Sequence, residues 1–393
     1  MVPNPALGVV FHWLGGLASG SFYVPYRGVR RWSWETYWLV GGIFSWIVAP
    51  WIIGGVLTRN LPEVLAATPW STLFACFICG LFWGVGGLTF GLTMRYLGLS
   101  LGMAIVMGLC ATFGTLVPPI VRGVFVTQVL QTASGRTILV GIAICLVGIA
   151  IAGLAGIAKE RTMPVEAQQT AIKEFNLRKG LLIATISGVM SAFFAFGLDR
   201  GDPIRQLTVQ HGTPSLWQGL PVLVVILLGG FTTNFIWTVM LNIRNRTGHE
   251  YISPTANVLN YSDTSGPQPI EETALTGPTT SVLVHSTAAV RQTVAVPLLR
   301  NYLFCALAGV TWYMQFFFYT MGETQMGKYK FSSWTIHMAS IIIFSTLWGV
   351  AVKEWKGAGR AAIRLLVTGL AVLIGSTIVI GYGNYLATLP GAH

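Results

Sequence analysis

The sequence predicts an all-α membrane protein, with ten transmembrane helices forming two inverted repeats of five. Three observations carry that prediction. Only 9% of the 393 residues are charged, 53% are hydrophobic and the mean hydropathy is +0.65, whereas about a quarter of a soluble domain's residues are charged. Apolar runs long enough to cross a hydrocarbon layer of about 30 Å recur ten times. Two stretches of the second half also overlay on the first at nearly one offset.

The first run, 6–24, carries His12 and ends near Tyr23, before the basic turn Arg27 to Arg31. The second, 37–57, follows WSWET at Trp32 to Thr36; Trp34, Trp38, Trp46 and Trp51 fit headgroup-level anchors near its ends. Glu35 opens this run, where it either caps a helix N-terminus or takes part in coupling. Runs three and four, 71–93 and 99–119, are joined by the small-residue turn Gly98-Leu-Ser-Leu-Gly102, and run five covers 138–157. A polar linker, Ala158 to Gly180, precedes run six at 181–198. The charged segment Asp199 to His211 and run seven at 216–243 follow. The Ser, Thr and Pro-rich stretch Arg244 to Val296 cannot bury enough apolar surface to order itself, so a flexible insert is expected there. Runs eight, nine and ten span 300–322, 333–352 (with His337) and 362–386. The expected organisation is a first five-helix repeat at 1–157, a linker at 158–180 and a second repeat at 181–393 with its insert at 244–296.

Run three overlays run eight at an offset of 229, placing Gly80 on Gly309, Trp83 on Trp312, Phe90 on Tyr319 and Gly98 on Gly327. Runs five and ten overlay at 228, pairing Arg136 with Arg364, Gly141 with Gly369 and Gly153 with Gly381. Five crossings per copy is odd, so the second copy must run through the membrane in the opposite sense, an architecture that recurs in secondary transporters. Seventeen of the 24 Lys and Arg fall in odd-numbered loops. The positive-inside rule therefore puts those loops in the cytoplasm and both termini outside. The net charge of +11 is then explained by retention at an anionic inner leaflet, with membrane lipid rather than nucleic acid as the partner. No cleavable leader is expected, since no basic residue precedes Arg27.

Run eight carries the least apolar stripe. Trp312, Gln315, Tyr319 and Glu323 recur at three and four residues, hence on one helical face. Lipid offers such groups no water, so the stripe must face protein or a wet cavity. Trp83, Trp312, Tyr313, Gln315 and Tyr319 combine ring faces with amide and hydroxyl groups, which suits a sugar; an aromatic cage around a cation is the competing use. His12 and His337 both fall in the outer half of their runs, and with Glu35 they are candidates for a transported proton, because histidine titrates near neutral pH. No phosphate-binding loop or H-E-x-x-H occurs, and Cys76-Phe-Ile-Cys79 has no second pair, so no cofactor or metal is expected. Gly98-Leu-Ser100-Leu-Gly102 matches a hydrolase elbow but links two membrane helices where that motif needs a strand. Against an enzyme or a sugar sensor with the insert as output, a transporter is the expected function.

WSWET after a basic turn, GLTMRYLG at Gly91 to Gly98, EFNLRKG at Glu174 to Gly180, WYMQFFFY at Trp312 to Tyr319, His337-Met338 and KEWKGAGR at Lys353 to Arg360 together resemble the L-rhamnose/proton symporter family of the drug/metabolite transporter superfamily. The resemblance runs from the first helix to the tenth. It implies a multi-pass inner-membrane importer of L-rhamnose in symport with protons, with a drug/metabolite exporter on the same scaffold as the alternative. The chain departs from the pattern in its long insert, in the charged Asp199 to His211 and in Gly87-Leu-Thr-Phe90, where amide groups are expected.

Overall fold

Ten helices long and apolar enough to cross a membrane make up most of the computed structural model, which describes residues 3–162, 176–260 and 290–389. We label them α1 (Pro5–Ser21), α2 (Trp34–Leu57), α3 (Trp70–Leu97), α4 (Leu99–Val121), α5 (Ala133–Glu160), α6 (Leu177–Arg200), α7 (Leu220–Asn245), α8 (Leu298–Thr324), α9 (Ser333–Ala351) and α10 (Arg360–Leu386). Their limits agree with the ten apolar runs to within a few residues.

Local chemistry sets the starts. The Asn4 side chain accepts from the Leu7 amide with Pro5 opening the first turn of α1, and Thr132 and Asn176 cap α5 and α6 in the same way. Gly98, at φ +77°, turns α3 directly into α4, a conformation open to glycine at little cost. Helix α2 is not uniform. Phe44–Val48 forms a π turn that carries Ser45 and Trp46.

One end of the bundle gathers both termini. There the Asn4 amide donates to Gln325 at 3.1 Å, Asn384 donates to Ser332 at 2.9 Å, and Thr132 and Tyr329 hydroxyls bond at 2.8 Å. The opposite end gathers Arg30 with Asn301, Ser33 with Glu250 and Ser100 with Glu160. Helix α1 packs on α8 and α9, while α6 packs on α3 and α4. Helix α2 lies against α8, α7 against α3, and α5 against α10. Close approaches explain two glycines: a Cβ at Gly80 in α3 would meet the Ile226 carbonyl of α7, and one at Gly309 in α8 would meet the Gly41 carbonyl of α2.

One expectation needs correction. The 244–296 stretch is not flexible throughout: Gly248–Tyr251 is a short 3-10 turn, and β1 (Thr255–Asn260) pairs antiparallel with β2 (Val290–Ala295). The flanks of the ribbon are held because Tyr302 donates to the Tyr251 carbonyl at 2.8 Å and Val296 buries among Val29, Trp32, Val40 and Cys305. Residues 261–289, like 163–175 of the linker, lie outside the described residues. The charged segment after α6 is also a helix, Asp202–Gln210, turned off α6 at Gly201.

Candidate functional site

Helix α8 presents its stripe to the interior of the bundle. Gln315, Tyr319 and Glu323 are buried, and Trp312 is half-buried. Helix α1 brings His12 to within 5.2 Å of the Tyr319 ring, centre to centre, and α9 brings His337 to the same distance beside it. The two imidazoles are 6.3 Å apart. They lie that close because α1 is thin where it passes: a Cβ at Gly15 would touch the His337 ring, and one at Gly322 of α8 would touch His12. Counting about 1.5 Å per residue, His12 lies roughly 10 Å below the start of α1, well inside the apolar layer.

From this cluster a belt of rings runs down the bundle. Tyr319 and His337 meet Trp334, Trp334 stacks on Phe194 at 5.8 Å, Phe194 stacks on Phe316 at 4.5 Å, and Phe316 meets both Trp83 and Trp312. Below it, Trp312 borders a narrow hollow, with room for about one water, lined also by Phe22, Tyr26, Trp38, Ser45 and Trp46; Gly41, Gly42 and Gly309 on its wall are themselves closely packed.

The polar atoms here are poorly matched within the protein. Both ring nitrogens of His12 and of His337, Gln315 Nε2, Trp312 Nε1, Trp46 Nε1 and Ser45 Oγ are buried without a protein partner. An unsatisfied buried group costs about 1–3 kcal/mol, so eight gathered in one place call for a partner from outside the chain, water or a ligand. Directed donors beside ring faces are the equipment for holding a polyhydroxylated ligand, and imidazole nitrogens at this depth are able to take up a proton.

The structure brings together Trp83, Trp312, Gln315, Tyr319, His12 and His337. Tyr313 is set apart: fully buried on another face of α8, it packs on Phe317. Glu35 also stands apart. It sits at the opposite end from the histidines, where its Oε1 accepts from Asn245 Nδ2 and Thr247 Oγ1, both at 2.9 Å. Ser100 does not resemble a nucleophile, since its hydroxyl donates to Glu160 at 2.7 Å between two helices. Sequence reasoning missed Ser45, Trp46, Phe194 and Trp334. The sequence pattern suggests a headgroup anchor for Trp46, yet it is twelve residues into α2, about 18 Å deep, and that depth is the available signal. Trp334 could have been found from its position one turn before His337. Phe194 left no signal beyond its apolarity.

Ion pairs cluster at the terminal end. Arg205 of the Asp202–Gln210 helix pairs with Glu323 at 2.6 Å, with both side chains buried, and Lys330 pairs with Asp202 at 2.6 Å. Arg122 at the end of α4 engages Asp199 and Asp202. At the opposite end the ion pair Arg27–Glu354, at 3.5 Å, is exposed.

Comparison with known proteins agrees with this architecture. The family model described as L-rhamnose-proton symport protein (RhaT) matches residues 1–249 and 282–386, passing over part of the insert. An L-rhamnose-proton symporter of Yersinia pestis (strain Pestoides F) is 33% identical over 378 residues, covering 96% of this chain and 97% of that protein. One from Cronobacter sakazakii (strain ATCC BAA-894) is 34% identical over the same length, with the same coverage. With nearly all of its length matched in the order in which its ten helices cross the bundle, the chain belongs to the L-rhamnose-proton symport protein family.

Proposed function

We propose that this chain imports L-rhamnose, or a deoxysugar close to it, together with protons across a bacterial inner membrane. The observation that carries the proposal is the buried cluster of His12, Gln315, Tyr319 and His337, whose ring nitrogens and amide find no partner in the protein. In this reading the sugar lies against Trp312 and the neighbouring rings. Gln315 Nε2, Ser45 and the indole N–H groups meet its hydroxyls, and the histidines hold the proton. Trp83 shapes the belt from behind Phe316. Tyr313 and Glu35 support their helices.

Transport proceeds by exchange between two repeats related by an in-plane pseudo-twofold axis. Swapping each helix for the one five places along maps α1 on α8 onto α6 on α3, α1 on α9 onto α6 on α4, and α2 on α8 onto α7 on α3, and every one of these contacts is present. The overlaid glycines behave alike, Gly80 admitting α7 and Gly309 admitting α2. These pairings support the inverted repeat. The charge distribution supports a periplasmic position for the terminal end and a cytoplasmic one for the end carrying Arg27 and Glu354. The hollow beside Trp312 then lies toward the cytoplasm, and the ion pairs close the outer face. The exporter reading shares this scaffold but lacks the support of the family match.

A ligand shifts the equilibrium between two faces only through differential affinity, so coupling requires that the protonated carrier hold sugar more tightly. Uptake of labelled L-rhamnose into vesicles containing the purified chain tests this. An inward proton gradient should drive accumulation, and collapsing it should reduce uptake to equilibration. Equal uptake with and without the gradient refutes the proposal.

A further inference from the structure

Among the described residues two carboxylates are buried, Glu35 and Glu323. Glu35 is met by a neutral amide and a hydroxyl. Glu323 is met by a guanidinium, and the pair joins parts that alternating access must separate: Arg205 follows α6, which packs with α3 and α4, whereas Glu323 ends α8, which packs with α1. Lys330, on the way into α9, makes a second such tie to Asp202. Desolvating an ion pair can cost as much as its attraction returns, so stability alone is a weak reason to keep one here. Position offers a better one. Glu323 is one turn above Tyr319 on the same face of α8, and Gly322 beside it lies against the His12 ring.

We propose that Glu323 is the outer proton-binding group of this transporter and that Arg205 competes with the proton for its carboxylate. The inference rests on the proton-symport reading above. With the outer face open, Arg205 has withdrawn and Glu323 takes a proton from the outer solution, forming an O–H bond. On closure the guanidinium returns to the carboxylate. The O–H bond breaks, the proton passes to a ring nitrogen of His12, and the carboxylate remains as Arg205's counter-ion. His12 and His337 then carry the proton at sugar depth until the inner face opens. Around Glu323 stand Arg205, in contact with it, and Tyr319 on its own helix; Asp202 and Asp199 lie behind Arg205 with Lys330 and Arg122, and on the other flank His12 lies against the adjacent Gly322 with His337 beyond it.

The test uses the full chain in vesicles with labelled L-rhamnose, measuring counterflow, which needs no net proton movement, and accumulation driven by a proton gradient. Glu323→Gln leaves a buried cation unpaired and can fail for that reason alone, so the paired change Arg205→Gln with Glu323→Gln is measured beside it, with Glu323→Asp as the conservative variant and Glu354→Gln as an exposed control. The expected result is counterflow within about threefold of wild type in the paired variant, an accumulation ratio fallen to one, and restored accumulation in Glu323→Asp. Gradient-driven accumulation persisting in the paired variant overturns the inference. So does loss of counterflow in all three Glu323 variants, which assigns the pair a structural role. Failure of the wild-type chain to accumulate sugar would instead refute the symport reading itself.

Discussion

Replacing Gln315 by leucine should move stability and function in opposite directions. Gln315 is 2% exposed and its Nε2 has no protein partner. The folded protein therefore carries the desolvation penalty of an amide with no compensating bond, about 1–3 kcal/mol. Leucine has a similar volume and removes that donor, so unfolding in detergent should become harder by about that amount, read as a thermal midpoint higher by a few degrees. The same amide, if it bonds a sugar hydroxyl, contributes about 1–3 kcal/mol to binding. Its loss should raise the half-saturating sugar concentration roughly 5- to 150-fold, at about 1.4 kcal/mol per factor of ten. The assay pairs a thermal melt without sugar with initial uptake rates across a range of sugar concentrations. A lower midpoint in the leucine variant would mean that the amide is satisfied within the protein. An unchanged half-saturating concentration would mean that it does not face the sugar. Either result refutes the reasoning, and adding saturating sugar should stabilise the wild type more than the variant.

Three further outcomes follow from the geometry. His12→Gln and His337→Gln should each abolish accumulation against a sugar gradient while counterflow continues, and retention of uphill transport in both would remove the histidines from coupling. Gly80→Ala should lower the thermal midpoint, because the added methyl meets the Ile226 carbonyl and overpacking costs about 1–3 kcal/mol; an unshifted midpoint would mean that α3 and α7 have room to part. Removing residues 262–281 should leave uptake intact, since the family match passes over 250–281 and the cut spares both strands of the ribbon, whereas loss of uptake would give the insert a role in transport.

The ten crossings were legible because hydrocarbon imposes one rule on every residue that meets it, and a long apolar run satisfies that rule without tertiary information. The stripe Trp312, Gln315, Tyr319 and Glu323 was legible for the same reason: polar groups at helical spacing inside such a run demand a private environment. What could not be read was which helix supplies that environment. Phe194 and Trp334 join the belt because α6 and α9 happen to cross there, and an apolar ring carries no mark of its neighbour. Glu35 could not be placed from sequence, because an acid at the start of a membrane helix looks alike whatever it meets; in the fold it accepts from Asn245 and Thr247, far from the histidines. The charged Asp199 to His211 departs from the family pattern in sequence, yet in the fold it supplies Arg205 and Asp202 to the ion pairs with Glu323 and Lys330.

The π turn at Phe44–Val48 holds one residue more than an α-helical turn needs. Passing that surplus along the chain would rotate whichever side of it tightens by about 100° and advance it by about 1.5 Å, without breaking the rod. Trp46 sits within that turn, so tightening it would re-aim the indole relative to one half of α2 while the other half kept its place.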